Sequence, residues 1–122
     1  MEFKDKYILD DANDPVLCSD LLQWAEWLET ADHRRVRLDC ADGYRVSTVF
    51  LGLDMNFGDG PPILFETMTF YGGTEHDQLR YATYDQALAG HALLLAEVKA
   101  RFAGSVDAAS ELVTKAKAKK EP

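Results

Sequence analysis

Residues 34–40 alternate between polar and apolar side chains, which is the pattern of a half-buried antiparallel strand. The pair Asp42-Gly43 follows, and Asp-Gly between two strand patterns favours a tight hairpin turn. The chain then returns over residues 44–53, and again over residues 63–71, as a second and a third strand. The alternation predicts that one face of the first strand is buried, and this face consists of Val36, Leu38 and Cys40.

Two weaker strand patterns flank this group. Residues 3–9 form a short strand candidate, and residues 10–15 are rich in Asp, Asn and Pro, which indicates a turn. Residues 79–82 are a second short candidate. Together with the hairpin strands, these segments predict a mainly antiparallel sheet of three to four strands.

The first helix is predicted to begin at Ser19, which provides a capping oxygen, and Asp20 adds a negative charge to its first turn. Its apolar positions recur at i, i+3, i+4 and i+7, which predicts one buried face, and the pattern ends near Ala31. That face consists of Leu21, Trp24, Ala25 and Leu28, with Leu22 beside it and Trp27 off its centre.

The second helix is predicted over residues 83–102, beginning with Thr83 and Gln86 at the spacing of a capping box and ending at Gly104-Ser105. It is apolar almost all round, so we expect it to be deeply buried or shared with a second subunit. One of its apolar positions is a histidine, which is more often a core residue with a satisfied hydrogen bond than a ligand. The self-association candidates are Leu88, His91 and Leu95.

These elements predict an α+β domain over residues 1–103, in the order β-α-β-β-β-(β)-α, with two helices packed on one face of the sheet. The alternative places the helices on both faces. A chain of 122 residues has the size of one such domain. Residues 104–122 form a tail rich in Ala and Lys, which we expect to be partly helical or frayed. The apolar positions of a weak amphipathic helix in this tail are Val106, Ala109, Val113 and Ala116.

The sequence shows no apolar run near the roughly 20 residues that a membrane helix needs. Its N-terminus also lacks the basic start and apolar core of a secretory signal. We therefore expect a cytoplasmic protein. Cys18 and Cys40 lack CxxC spacing, and we expect them to be two small buried residues rather than a disulfide.

The charge is strongly acidic, with 13 Lys and Arg against 21 Asp and Glu, for a net charge of −8. Residues 1–102 carry 9 of the basic and 18 of the acidic side chains. Such a surface argues against nucleic acid as a ligand and attracts basic protein surfaces. The alternative is that the acidity only keeps the protein in solution.

Residues 54–62 combine turn-forming Asp and Asn with Gly and Pro, which exclude regular structure. The stretch departs from a calcium loop because the Gly and the closing Glu are each displaced by one residue. Neither a metal nor a cofactor is predicted. We expect an interaction loop, and its candidate residues, with one from the strand that follows, are Asp54, Asn56, Phe57, Asp59 and Glu66.

An enzymatic alternative uses the acidic residues of the same region. A small acid–base or metal-dependent enzyme would need its side chains to converge within hydrogen-bond or one-water distance. No GxSxG, P-loop, GxGxxG or HExxH motif occurs in the sequence, which favours a binding role. The enzymatic candidates are Asp54, Asp59, Glu66 and His76.

The run VSTVFLGLD-x-x-FG-x-GPPILFETM, followed by RYATYDQALAGH, resembles a family of small uncharacterised proteins encoded by tailed phages and bacterial prophages. The resemblance covers residues 6–98, and Met55 stands where the family is expected to have a polar residue or His. It implies a phage setting in a bacterial host cell, but no activity and no catalytic residues.

The leading hypothesis is therefore a non-enzymatic phage or prophage accessory protein that binds another protein. One form of it is an anti-defence role, in which the acidic body blocks a basic nucleic-acid-binding effector. A virion or assembly component is a further alternative.

Overall fold

The structure is a computed structural model that describes the backbone of residues 5–30, 32–41 and 43–117. Side chains are described up to Phe102, apart from that of His33. The predicted strand over residues 3–9, the helix end at Ala31 and the turn residue Asp42 therefore lie partly or wholly outside the described residues.

The main sheet has four antiparallel strands in the order of the chain. In the pairing of its two central strands, Thr48 lies opposite Thr67, and Phe50 lies opposite Phe65. The fourth strand is twice as long as the predicted segment 79–82 and makes a hairpin with the third. The strands are β3 (Arg35–Ala41), β4 (Tyr44–Phe50), β5 (Phe65–Tyr71) and β6 (Thr74–Tyr81).

The predicted inward face of β3 holds for Val36, which packs against the core, but is wrong for Leu38 and Cys40, because the strand has an irregularity at its start. Arg35 pairs with Val49 and Arg37 pairs with Thr48, so one extra residue is inserted between two consecutive pairs. A bulge of this kind moves the following side chains to the opposite face. Asp39 therefore lies on the face of the buried Thr48, whereas Leu38 is 38% exposed and Cys40 is exposed. Of the two cysteines, only Cys18 is buried as predicted.

A second, two-stranded sheet was not predicted. Strand β1 (Tyr7–Leu9) pairs with β2 (Pro15–Leu17), and Asn13 takes a positive φ of 66° in the turn between them. The Asp10 carboxylate accepts hydrogen bonds from two backbone amides of this turn, as an Asx residue does. On its other side, β1 contacts the chain after β4 through the hydrogen bond from the Tyr7 amide to the Gly52 carbonyl.

The first helix, α1 (Leu21–Thr30), is packed differently from the prediction. Its cap is Asp20 rather than Ser19, because the Asp20 carboxylate accepts the amide hydrogens of residues 22 and 23. Trp27 packs edge-on against the buried Phe50, and Trp24 donates its indole N–H to the Gly52 carbonyl at 3.0 Å. Leu21 and Ala25, which were predicted to be buried, are exposed, and none of the residues of α1 is fully buried.

The second helix, α2 (Tyr84–Lys117), begins with the predicted capping box. The Gln86 amide donates to the Thr83 hydroxyl at 3.1 Å, and the Thr83 amide donates to the Gln86 side chain at 3.2 Å. The helix backbone continues through Gly104, so the predicted stop at Gly104-Ser105 is wrong. A single helical glycine lowers helix stability by roughly 1 kcal/mol, which its neighbours outweigh here.

The α+β class is confirmed, and its core lies between α2 and the main sheet. One buried cluster joins Phe50, Phe65 and Ala87 to Leu9 of β1, and a second joins Val46 to Leu94 and Val98. Trp27 of α1 contacts the first cluster, so both helices touch the same face of the sheet. Among the described residues, neither helix combines the length and hydropathy that a bilayer crossing requires.

Candidate functional site

The predicted interaction loop, residues 54–62, is fixed at its base by Asp54. Its carboxylate accepts a hydrogen bond from the Asn56 amide at 2.8 Å and another from the Ile63 amide at 3.0 Å. The Asp54 amide in turn donates to the carbonyl of Asp5, next to β1. Asp54 therefore closes the loop and anchors it to the small sheet, which is a structural use of the carboxylate.

The tip of the loop is fixed by Asn56. Its side-chain amide donates to the carbonyls of Asp59 and Pro61 at 3.2 and 2.8 Å, and its carbonyl oxygen accepts from the Gly58 amide at 2.8 Å. One side chain therefore links three residues across the tip of the loop. These side-chain hydrogen bonds take the place of the backbone hydrogen bonds that a helix or strand would have. The loop is therefore pre-organised without regular secondary structure.

Phe57 sits between these fixed residues and is 76% exposed. The amide of the residue before it is held by Asp54, and the amide of the residue after it is held by the Asn56 side chain, so the ring is presented from a constrained backbone. Large aromatic rings are the side chains that most often carry binding energy at protein interfaces. The loop thus offers an apolar anchor on an otherwise polar surface.

Glu66, the fifth predicted binding residue, lies outside this loop surface. It is on β5, where its carboxylate accepts from Arg80 at 2.9 Å and from the Gln78 side chain at 2.5 Å. Its side chain is only 12% exposed. Glu66 therefore links β5 to β6 through its side chain, and it is a structural residue of the sheet rather than part of the loop surface.

Two members of the enzymatic set, His76 and Glu66, lie far apart. His76 stacks on Tyr71 with ring centroids 3.6 Å apart, and Tyr71 is at the far end of β5 from Glu66, roughly 17 Å away along the strand. Asp54 is already occupied by backbone amides. Within the described part of the chain, no group of three or more His, Cys, Asp and Glu side chains is arranged to hold a metal ion.

A polar chain lies where the sequence predicts an apolar helix–sheet contact. His91 is completely buried, its Nδ1 atom is 2.7 Å from the Thr48 hydroxyl, and its Nε2 atom is 2.7 Å from the Asp39 carboxylate. His91 is thus a core histidine with both ring nitrogens paired. The prediction that His91 takes part in self-association is therefore wrong, because its side chain is fully buried and cannot contact a second copy.

The chain of polar side chains continues from Thr48 across the sheet. The Thr48 hydroxyl lies 2.5 Å from that of Thr67, and the Tyr81 hydroxyl donates to Thr67 at 3.0 Å. Gly90 of α2 completes the arrangement, since a Cβ atom at this position would overlap the Tyr81 ring. This polar chain therefore connects helix α2 to all four strands of the main sheet. Its members are Tyr81, Thr67, Thr48, His91 and Asp39.

The carboxylate end of the polar chain fixes the direction of its hydrogen bonds. The hydrogen bond from His91, together with the charge and hydrogen bond of Arg37 at 3.1 Å, holds the pKa of Asp39 below its usual value, against a smaller opposing effect of burial. An ionised Asp39 can only accept, so Nε2 of His91 carries a proton and donates it. With Nδ1 of His91 accepting from the Thr48 hydroxyl, Thr48 accepts from the Thr67 hydroxyl, and Thr67 accepts from the Tyr81 hydroxyl.

The hydroxyl end is kept neutral. Burial raises the pKa of the Tyr81 phenol, and the hydrogen bond with Thr67 offsets this only in part. A protonated phenol is the donor with which the chain of hydrogen bonds must begin. The two ends of the polar chain are thus held in the ionisation states that satisfy every group between them.

Hydroxyl, imidazole and carboxylate stand here in the order of a catalytic triad. Thr48 and His91 are, however, both completely buried, so a substrate has no access to the hydroxyl. Buried polar groups with every hydrogen bond made rigidify and specify a core. We therefore assign the polar chain to the docking of α2 on the sheet.

The other self-association candidates lie nearer the surface. Leu88 is 36% exposed, and Leu95 is partly buried against the cluster of Val46. Self-association through this helix stays a prediction, carried by these two residues without His91.

Only part of the polar chain could be predicted from the sequence. Thr67 was predicted on the face of Phe65, which the structure bears out, and Thr48 alternates with Val46 and Phe50, which are buried. The available signal for a buried polar contact was a threonine at an inward position of one strand, opposite a threonine of the neighbouring strand. Asp39 could not be found in this way, because the bulge in β3 reverses its face.

No protein-family model, curated protein or solved structure matches the chain. The phage and prophage resemblance therefore stays a prediction.

Proposed function

We propose that the chain is a non-enzymatic phage or prophage accessory protein that acts in the cytoplasm of a bacterial host by binding another protein. The main support for this proposal is the exposure of Phe57. Its side chain is 76% exposed on a loop that Asp54 and Asn56 hold in one conformation. A pre-organised aromatic anchor loses little conformational entropy on binding.

The charge supports a basic partner. The net charge is −8, and Asp59 in the loop is exposed beside the anchor. Complementary charge accelerates encounter and excludes acidic competitors more than it adds affinity. A basic host effector, including one that binds nucleic acid in defence, is the partner class that fits these features.

The test compares three immobilised baits in lysate of a bacterial host: the wild type, Phe57→Ala and Leu93→Ala. Leu93 is a matched control because it is a large apolar residue, 57% exposed, on the distant helix α2. A protein retained by the wild type and by the control bait, but lost from Phe57→Ala, is then purified for calorimetric titration. We expect its dissociation constant for Phe57→Ala to be about thirtyfold higher or more, as for an interface hot spot.

Two further readouts make this decisive. The three baits should unfold at the same urea concentration, since Phe57 is exposed, and binding should weaken as salt rises. A purified partner that binds Phe57→Ala as tightly as the wild type would refute the role of the loop. A lysate in which no protein distinguishes the baits would count against the function itself.

A further inference from the structure

A second exposed apolar area lies on β2 and the first turn of α1, and we call it the β2–α1 surface. Its three leucines are each more than 60% exposed, at 66% for Leu17, 64% for Leu21 and 69% for Leu22, and Val16 beside them is 38% exposed. Four large apolar side chains within seven consecutive residues are more than the scattered exposure that is normal for a surface.

The setting of this surface leaves it uncovered by the fold. Strand β1 lies between β2 and the chain at Leu53, with which Lys6 forms a bridge, so β2 is at the margin of the small sheet in the part of the chain described. Helix α1 is held from its other side by Trp24 and Trp27. Leu21 and Leu22 are exposed in the first turn of α1, which precedes both tryptophans.

The charge around this surface selects the occupant. Residues 7–33 contain seven acidic side chains, all exposed, and no Lys or Arg, while Glu29 and Asp32 share a surface pocket with Arg34 and Arg35. A segment that covers the leucines must be apolar, and a segment that stays beside these carboxylates must be basic. The seven residues are Asp10, Asp11, Asp14, Asp20, Glu26, Glu29 and Asp32.

The chain itself contains a segment of this chemistry. Residues 112–120 include Leu112 and Val113 and four lysines, without any acidic residue, and the helical backbone of α2 continues to Lys117. Apolar residues also recur at helical spacing through the preceding turns, at 106 and 109. An amphipathic basic helix docked on an acidic apolar surface is a common recognition mode.

A chain cannot place this segment on its own β2–α1 surface. Phe102 packs against Tyr44, at the start of β4, whereas α1 contacts Gly52, beyond the end of that strand. These points are separated by about 26 Å of strand, and α2 runs on from Phe102 for roughly 15 Å more before it reaches residue 112. The backbone of residues 112–117 therefore lies at the far end of the molecule.

We propose that the C-terminal segment of one copy, residues 103–120, docks on the β2–α1 surface of a second copy. The apolar residues of the segment cover Leu17, Leu21 and Leu22, and its four lysines lie beside the carboxylates of residues 7–33. A reciprocal pair closes as a two-fold dimer, and a one-way contact continues into larger assemblies. This contact uses none of the residues of the 54–62 loop and is independent of the proposed function.

Sedimentation velocity of the full-length protein over a concentration series tests the proposal. The wild type is expected to associate reversibly at low salt and to dissociate as salt rises. Reversing the four lysines, Lys115→Glu, Lys117→Glu, Lys119→Glu and Lys120→Glu, should raise the dissociation constant at least about tenfold. The matched control changes the same four positions to Arg, which keeps the charge and should keep association.

Two surface variants complete the design. Leu17→Ser with Leu22→Gln should weaken association without lowering stability, since both side chains are exposed. Asp11→Lys, Asp14→Lys and Glu26→Lys should also weaken it, and combining these with the reversed tail should restore it. If a surface variant fails to fold, the tail variants still decide the question, because the described core clusters use no residue beyond Phe102.

The outcomes are distinct from those of the lysate experiment. A wild type that stays monomeric at about 100 μM in low salt overturns the proposal, and so does association that survives reversal of the four lysines. Either result leaves the Phe57 loop untouched. A wild type that associates and loses both this behaviour and its salt dependence on lysine reversal supports the docking, whatever the lysate contains.

Discussion

The two helices use their apolar residues in opposite ways. α2 buries Ala87, Leu94 and Val98 against the sheet, and even its one histidine is completely enclosed. α1 buries none of its residues fully and exposes Leu21 and Leu22. The difference teaches that the inner side of α2 is committed to its own sheet, whereas α1 contributes no fully buried residue to the core.

The largest expected effect breaks the attachment of α2. His91→Ala leaves a cavity and deprives Thr48 and Asp39 of their partner, so we expect the free energy of unfolding to fall by about 3–5 kcal/mol. Equilibrium urea denaturation measures it. The control is Leu93→Ala, two residues further along α2 and 57% exposed, which should change stability far less. Equal losses in the two variants would show that the polar chain does not hold the helix.

A smaller effect is expected from overpacking the same contact. Gly90→Ala places a methyl group in the space of the Tyr81 ring and should cost about 1–3 kcal/mol. In the background of Tyr81→Leu, which removes the ring, the same substitution should cost much less. The double-mutant cycle measures this coupling, and additive losses would contradict the close approach of Gly90 to Tyr81.

The acid end of the polar chain gives a pH-dependent effect. The folded pKa of Asp39 lies below its ordinary value of 3.8, so the carboxylate contributes stability that is fully present above that value. This contribution is lost as pH falls through the folded pKa. Unfolding free energies of the wild type should therefore decline more steeply on acidification than those of Asp39→Asn, whose amide does not titrate. Parallel declines would show that Asp39 is not linked to folding.

The smallest effect is expected on the outer side of α1. Leu21→Gln with Leu22→Gln should change the unfolding free energy by no more than about 0.5 kcal/mol per site, because both side chains are already in water. Urea denaturation at low protein concentration, where the chain is monomeric, measures this. A loss comparable to that of His91→Ala would mean that these leucines belong to the core.

The sequence predicted the elements better than their faces. The capping box of Thr83 and Gln86 and the alternation of β5 are local signals, and the structure bears them out. The buried side of α1 is a tertiary property: periodicity cannot tell whether Leu21 or Trp27 faces the core when both sides of the helix are apolar. The bulge in β3 likewise depends on pairing with β4, and one inserted residue moved Asp39 to the inner face.

The candidate surfaces were predictable to different degrees. Asp54 and Asn56 were recognised as turn formers, and the structure shows that they hold the loop around Phe57. The β2–α1 surface could not be predicted, because β2 itself was missed and because Leu21 and Leu22 were assigned to a buried helix face. Only their exposure, 64–69% for Leu17, Leu21 and Leu22, shows that the fold leaves them uncovered.

Hydrogen exchange of the full-length protein at two concentrations tests this division between the helices most directly. Amides of α1 are expected to be weakly protected in dilute solution and to gain protection as concentration rises, while the α2 amides around His91 are well protected at both. Protection of α1 that is as strong as that of α2 and independent of concentration would contradict the account.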